Sequence, residues 1–466
     1  MNFKNYLALT ILFSISLISC RKDFEADYAT QNLSFSRDTV KLDTVFNQIR
    51  SETYSVKVYN NESKDVLIPR IYLEKGVNSF FKINVNGKSG FEFYDIPLKS
   101  KDSMYIFVEI APNINPPATA LQDEDIIFKT TNEQRVKLLS LVEDVEFYYP
   151  PTGQSSLDIT SDLNWTNNKP KLIFGNLTIK NNARLNISSG TKIYFHKKSS
   201  LIIDANSQLN ILGSLNNEVI LRGDRHDPYY DNLPANWQGI YLKQNAIANI
   251  NYGIIKGGNI AIESDQNANI ILKNTKIFNF LESGIFAVGS IISGENLVFN
   301  QVGNYALDLN YGGNYNFKHC TFANYLDDGI PGLGKTLYLS NGFQSAYNNL
   351  NAAFSNCIFY GDSKQSIIIS KNAAASFSYL FDTNIMRAEN IGTNDFNPAT
   401  DSNVLNSTSL INLDPLFVNT TAAYNQLNLQ TNSPAKAKAK SNIAVSIPFD
   451  IKNVSRTINP SVGAYQ

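Results

Sequence analysis

Apolar residues recur along this chain in two different rhythms. From about residue 33 to 148 they alternate with period two. In SMYIFVEI (103–110), Met104, Ile106, Val108 and Ile110 fall on one face, and Tyr105, Phe107 and Glu109 fall on the other. ETYSVKVYN (52–60) alternates likewise. Successive side chains of a β-strand point to opposite faces, so closely spaced runs of this kind separated by polar turns predict an antiparallel sandwich over 33–148. Tyr148-Tyr149-Pro150-Pro151-Thr152-Gly153 interrupts the pattern and reads as a linker, placed at 149–165.

Beyond it, over 166–466, the apolar runs shorten and Asn, Ser and Gly punctuate them, as in LTIKNNARLNISSGTKIYFHKKSSLIIDANSQLNILG (177–213). YGIIKG, NTKIFN, NLVFNQ, HCTFAN and NCIFYG stack with Ile255, Ile277, Phe299, Phe322 and Phe359 in one register, at steps of 22, 22, 23 and 37 residues. One such coil cannot bury its own apolar face, so the period predicts a solenoid in which like residues lie on like. At 22 residues per coil, the stretch from Leu172 to Phe417 gives about eleven coils and a rod of about 50 Å at the β spacing. Asn274, Asn296 and Asn356 recur where left-handed corners and side-chain ladders are needed.

The long step holds GIPGLGKT (329–336), which fits a phosphate-binding pattern. That chemistry needs a buried strand before the loop and a helix after it, whereas TLYLSN reads as a strand. The segment is therefore taken as a turn, with no nucleotide. Cys320 and Cys357 stand two places before register phenylalanines, following Thr275 and Leu297 in an interior row, so they read as buried thiols. His319 should point outward by alternation.

The first residues, MNFKNYLALTILFSISLISC, have one lysine and an apolar run too short for a bilayer-spanning helix. Leu17-Ile18-Ser19-Cys20 resembles the lipobox of bacterial lipoproteins. The resemblance implies a signal peptide over 1–19, a lipid on Cys20, a tether over 20–32 and a membrane partner reached through the lipid. Arg21-Lys22-Asp23-Phe24-Glu25 resembles the tag of surface lipoproteins of the Bacteroidota, which implies the outer membrane and exposure at the cell surface. Forty basic against 41 acidic residues give no attraction to nucleic acid.

Two further stretches carry a resemblance. IIFKTTNEQRVKLLSLVEDV (126–145) resembles the closing hairpin of immunoglobulin-like domains. DPLFVN (414–419), YNQLNLQTNSPA (424–435), FDI (449–451), Arg456 and PSVGAYQ (460–466) resemble the segment that closes the final coil of bacterial right-handed parallel β-helix proteins, the pectin-lyase-like fold, and RGDRHDPYYDNLPANWQGIYL (222–242) resembles a charged loop in their Bacteroidota members. The implied class is all-β: an immunoglobulin-like β-sandwich followed by a right-handed parallel β-helix. The fold also occurs in polysaccharide lyases, which would add calcium and a basic catalyst, and in hydrolases, which need two carboxylates. The outward candidates Lys276, Asn300, Tyr325 and Tyr360 offer no carboxylate row, and no catalytic or metal-ligating residue is assigned. Tyr311, Tyr325, Asp327, Asp328 and Tyr338 combine aromatic faces with polar groups and are the candidate carbohydrate site. Asp224, Arg225, His226 and Asp227 form a second polar group. The reading favoured is a noncatalytic envelope protein that contacts glycans or other surface proteins, without a cofactor. A lyase or hydrolase acting on an acidic glycan, and a structural or adhesive rod, are its alternatives.

Overall fold

The computed structural model describes residues 26–112, 120–227, 229–327, 334–389, 391–392 and 395–466. Cys20 and its signal, Asp328 and most of the glycine-rich loop lie outside them. The chain divides into two compact units between Asp144 and Val145. Among the described residues no helix is long and apolar enough to cross a membrane.

The first unit is a β-sandwich. A seven-stranded sheet is built around Val66–Leu73, Ala120–Lys129 and Glu133–Glu143, and a five-stranded sheet around Tyr54–Tyr59, Phe81–Val85 and Ser103–Ile110. The predicted hairpin is present, with Ala120–Lys129 antiparallel to Glu133–Glu143. Period-two alternation decides the burial: Ile106, Val108 and Ile110 are fully buried in a core shared by both sheets, whereas Tyr105 and Phe107 are 48% and 44% exposed.

The second unit is a parallel β-helix. Each coil adds one strand to each of three parallel sheets, the first of eleven strands and the second and third of nine each. The predicted register holds: Ile255 pairs with Ile277, Ile277 with Phe299, Phe299 with Phe322 and Phe322 with Phe359. Phe317, Phe354 and Phe381 form a second stack at 5.7 and 5.0 Å, and the register phenylalanines 299, 322 and 359 stack at 5.3 and 5.0 Å. Asn274, Asn296 and Asn356 all have φ near +50°, and the amide of Asn274 donates to Asn251 and that of Asn296 to Asn274. On the outer face of the third sheet, Asn164, Asn186, Asn210 and Asn249 form another amide ladder at 2.8–3.0 Å. Cys320 and Cys357 are free and fully buried in adjacent coils.

Four expectations need correction. Residues 149–165 are no linker: Glu146–Tyr148, Ser156–Ile159 and Leu163–Trp165 are the first strands of the three sheets, and the two prolines sit in the turn between the first two. A solenoid corner must break the strand as a linker does, so the same residues suit both. Among the described residues nine coils carry all three strands, because long excursions such as 224–238 and 341–349 consume residues that the 22-residue count had assigned to coils.

The C-terminal segment does not close the last coil. It lies along the outside of the first sheet, where Phe417, Leu427, Ala435, Ile451, Val462, Ala464 and Tyr465 cover Phe278, Val298, Ala323, Ile358 and Ile385. Its signature residues are explained by this flank. Asp450 accepts the backbone N–H groups of Lys452, Val454 and Gln466. The buried Arg456 donates to Asn296 Oδ1 at 2.8 Å and to the carbonyls of Phe449 and Gly463. Gly463 N–H donates to Asn356 O at 2.8 Å, and the N–H of Ala464 donates to Thr321 Oγ1 at 3.0 Å. The same cover buries His319, the fourth correction. It occupies a left-handed corner (φ 51°) in the row of the asparagines, with Nε2 3.0 Å from Asn356 Nδ2.

Phe322 touches aromatic rings on three sides, so Phe322→Ala is expected to lower stability by about 3–5 kcal/mol, read as a fall in the denaturant midpoint of the β-helix unit. Gly463 sits at φ 95°, and a Cβ there would lie 2.7 Å from Ile358 Cδ1 and 2.8 Å from Thr321 Oγ1. Gly463→Val is therefore expected to loosen the C-terminal strap. Limited proteolysis should then cut within 414–466 before it cuts the coils, and an unchanged digestion pattern would contradict this account.

Candidate functional site

The three outer faces of the β-helix are finished differently. The first sheet is roofed by the strap over its later coils and by the charged loop over its earlier ones. The third carries the amide ladder. On the second sheet the outward position of successive coils holds Tyr241, Glu263, Phe286, Asp308 and Tyr338, each in parallel register with the next. Neighbouring members are about 4.8 Å apart along the stack. All five are half-buried.

Flanking groups complete the face. Tyr305 lies 5.4 Å from the Tyr338 ring, and Phe343, from the excursion after Lys335–Ser340, meets Phe286 edge-on at 6.1 Å. The Tyr241 hydroxyl donates to Asp265 Oδ2 at 2.7 Å. Asp308 accepts from Asn310 Nδ2 at 2.7 Å and from Ser283 Oγ at 3.5 Å. Beside the row, Gln238, Tyr241, Asn259, Glu263 and Glu282 line a cleft of about 210 Å³. Burial raises the Glu263 carboxyl above the ordinary carboxylate range, and the negative charges of Asp265 and Glu282 raise it further. Burial also raises Asp308, against the opposing pull of its Asn310 and Ser283 hydrogen bonds. The face thus offers flat rings alternating with carboxylates whose charge is poorly relieved.

The candidate carbohydrate residues do not form one site. Only Tyr338 is in this row. Tyr311 occupies the corner after Tyr305–Asn310, in a left-handed conformation. Tyr325 packs edge-on against Phe417 of the strap at 6.1 Å. Asp327 accepts from Gln301 Nε2 at 2.7 Å and from the Ala422 N–H at 2.9 Å, and so ties the strap down. It lines a separate cleft of about 610 Å³ with Tyr229, Leu233, Phe280 and Leu281. Asp328 is outside the described residues. The outward candidates on the first sheet are engaged as well, since Asn300 Nδ2 donates to Thr420 O and Asn425 Oδ1.

The charged loop is held mainly by contacts with its own residues and with the first sheet beneath it. Asp224 Oδ2 is 2.7 Å from His196 Nδ1, and this contact raises the imidazole pKa. The Arg225 guanidinium lies 3.3 Å over the Tyr230 ring, the His226 ring meets Tyr194 edge-on, and Asp227 Oδ1 accepts the Tyr230 N–H. Arg222 and Lys256 both reach Asp231, at 2.9 and 2.6 Å. After the glycine-rich loop comes a strand, Lys335–Ser340, in which the buried Thr336 donates its hydroxyl to Ser366 O at 2.9 Å. Among the described residues no three carboxylate, imidazole or thiol groups are placed to hold a metal ion.

Tyr241, Glu263, Phe286 and Asp308 were missed by the sequence reading. The signal was present: they recur at steps of 22, 23 and 22 residues, the period of the register phenylalanines.

No family model matches the chain, and no curated protein matches it. Among solved structures, the chain is similar to an ASH/PapD-like domain of human CEP192, at 13% identity and TM-score 0.17, over 24% of this chain and 87% of that one. It is also similar to the catalytic domain of a GH87 alpha-1,3-glucanase in complex with nigerose, at 9% identity and TM-score 0.19, over 72% of this chain and 82% of that one. At these TM-scores neither likeness carries an argument.

Burial, with Arg222 close by, pushes the His226 imidazole down to about 3, and burial with Arg456 close by does the same to His319. An imidazole with a depressed folded pKa stabilises fully above its unfolded value of about 6.5, and that stability is lost as pH falls toward the folded value. Each histidine contributes a slope of about 1.4 kcal/mol per pH unit in that window. Thermal unfolding is expected to show a melting temperature lower at pH 5 than at pH 7.5, with a smaller difference in His226→Gln/His319→Asn.

Proposed function

We propose that the protein is a lipid-anchored envelope protein that binds a glycan, without catalysis, along the outer face of the second sheet. The observation that carries this reading is the row Tyr241, Glu263, Phe286, Asp308 and Tyr338, with rings and carboxylates alternating in register on a face that neither the strap nor the charged loop covers. Sugar rings present C–H faces that pack on aromatic rings and hydroxyls that donate to carboxylates, so the row matches both surfaces of a saccharide. The lipobox-like Cys20 supports the anchor and the charged residues after it support the outer membrane and the cell surface.

One observation favours a second reading, inverting hydrolysis. Glu263 and Asp308 stand two coils apart, roughly 10 Å along the stack, close to the separation of inverting carboxylate pairs. Against it, the Phe286 ring stands between the two, and Asp308 is already held by Asn310 and Ser283.

Calorimetric titration of the mature protein with a panel of oligosaccharides tests the binding reading. Phe286→Ala and Tyr338→Ala are each expected to weaken binding about tenfold, the equivalent of one stacked ring, with the protein still fully folded at the titration temperature. Affinity unaffected by both substitutions removes the site, and release of reducing ends from any of these sugars replaces binding with hydrolysis.

A further inference from the structure

The charges on the second sheet change character along the stack. In the early coils they alternate and pair: Lys180 meets Asp158 at 2.7 Å, and Lys243 meets Asp204 at 3.0 Å. The third sheet does the same with Lys273 and Glu295 at 3.0 Å, and the charged loop with Lys256 and Asp231. Between Lys243 and Lys335 the strands of the second sheet carry no cation. Glu263, Asp265, Glu282 and Asp308 follow, and among the described residues none of the four makes an ion pair. Asp265 and Asp308 receive only neutral donors, the Tyr241 hydroxyl for one and Asn310 and Ser283 for the other.

These four carboxylates share the face with the ring row, and two of them, Glu263 and Glu282, line the same cleft as Tyr241. Its volume of about 210 Å³ is below the roughly 300 Å³ at which sites for drug-sized ligands begin, which suits one ring of a longer chain. Unpaired carboxylates half out of water attract a cation and repel an anion. A uronate chain brings its own negative charge to each ring and meets repulsion at every coil from Glu263 to Asp308.

We infer that the ligand is a glycan carrying free amino groups, a glucosamine-type polymer, with an ammonium seated between Glu263 and Glu282 and its ring against Tyr241. This rests on the glycan-binding reading above and departs from the acidic glycan that lyase chemistry would require. The ammonium supplies the counter-charge that the sheet omits between Lys243 and Lys335. The upward shift of Glu263, caused first by burial and then by the charges of Asp265 and Glu282, agrees with a site that lacks its cation.

The test is titration of the mature protein at pH 6.0 with hexamers of glucosamine, N-acetylglucosamine and galacturonate, and with hexalysine, at low and at high salt. Glucosamine hexamer is expected to bind at least tenfold more tightly than its N-acetylated form, and galacturonate hexamer weakest of all. High salt should erase most of that preference. Glu263→Gln/Glu282→Gln, isosteric and checked by melting temperature, should erase it too. Equal affinity for the amino and N-acetyl hexamers, or a best fit to galacturonate, overturns the charge inference and leaves the glycan site standing. Hexalysine binding as tightly as glucosamine hexamer overturns it in favour of a basic peptide. Absence of binding by every sugar overturns the glycan reading itself.

Discussion

Hydrogen bonding between successive coils, in one fixed parallel register, is the constraint on which the second unit depends. Because every coil repeats the placement of the one below, any residue type that recurs with the period is brought onto its own kind. Inside, this makes the two phenylalanine stacks through Phe299, Phe322 and Phe359 and through Phe317, Phe354 and Phe381. At the corners it makes the asparagine ladder, whose members accept φ near +50° with less strain than other side chains and pass an amide hydrogen bond from coil to coil. On the outside it makes rows, and a row is the natural form of a binding surface for a polymer.

A solenoid with three faces must finish each of them. The first sheet presents apolar residues outward, with Phe278, Val298, Ile358 and Ile385 in its later coils, and these would be a contiguous exposed patch without a cover. The strap supplies the cover, and the need for it accounts for the polar chemistry of the last fifty residues. Asp450 organises a turn, the buried Arg456 satisfies carbonyls and the Asn296 amide, and Gly463 lets the backbone approach Ile358 and Thr321. What resembles a family's closing segment is, in physical terms, a lid for one flank. With the charged loop over the earlier coils, it leaves the second sheet as the face where rings and carboxylates stay accessible.

That face carries carboxylates that no lysine or arginine among the described residues pairs with. Asp158, Asp204 and Glu295 each meet a lysine at about 3 Å, whereas the four carboxylates of the later coils meet only hydroxyl and amide donors or none. Partial burial, and after it the charges of Asp265 and Glu282, raise Glu263, so the free protein holds charge in a place where charge is unfavourable. A surface of this kind gains more from a cationic partner than from a neutral or anionic one. The glucosamine-type assignment follows from that imbalance.

Much of this was legible in the chain itself. The period of 22 in Ile255, Ile277 and Phe299 gave the coil, and the alternation in SMYIFVEI gave the buried face of the sandwich, because both depend only on which side chains water rejects and on backbone geometry. The interior position of Cys320 and Cys357 and the left-handed asparagine corners follow from the same local rules. What the sequence left undecided was everything set by one segment lying on another. Outward alternation predicted His319 in solvent, but the strap covers it; Tyr311, Tyr325 and Asp327, close in sequence, are parted onto a corner, under Phe417 and against Ala422. Tyr241, Glu263, Phe286 and Asp308, spread over several coils, come together only once the register between coils is fixed. Periodicity along a chain records which residues share a row, but which rows are roofed depends on contacts between residues more than a hundred positions apart, such as Asn296 with Arg456 and Thr321 with Ala464, and those only the folded structure decides.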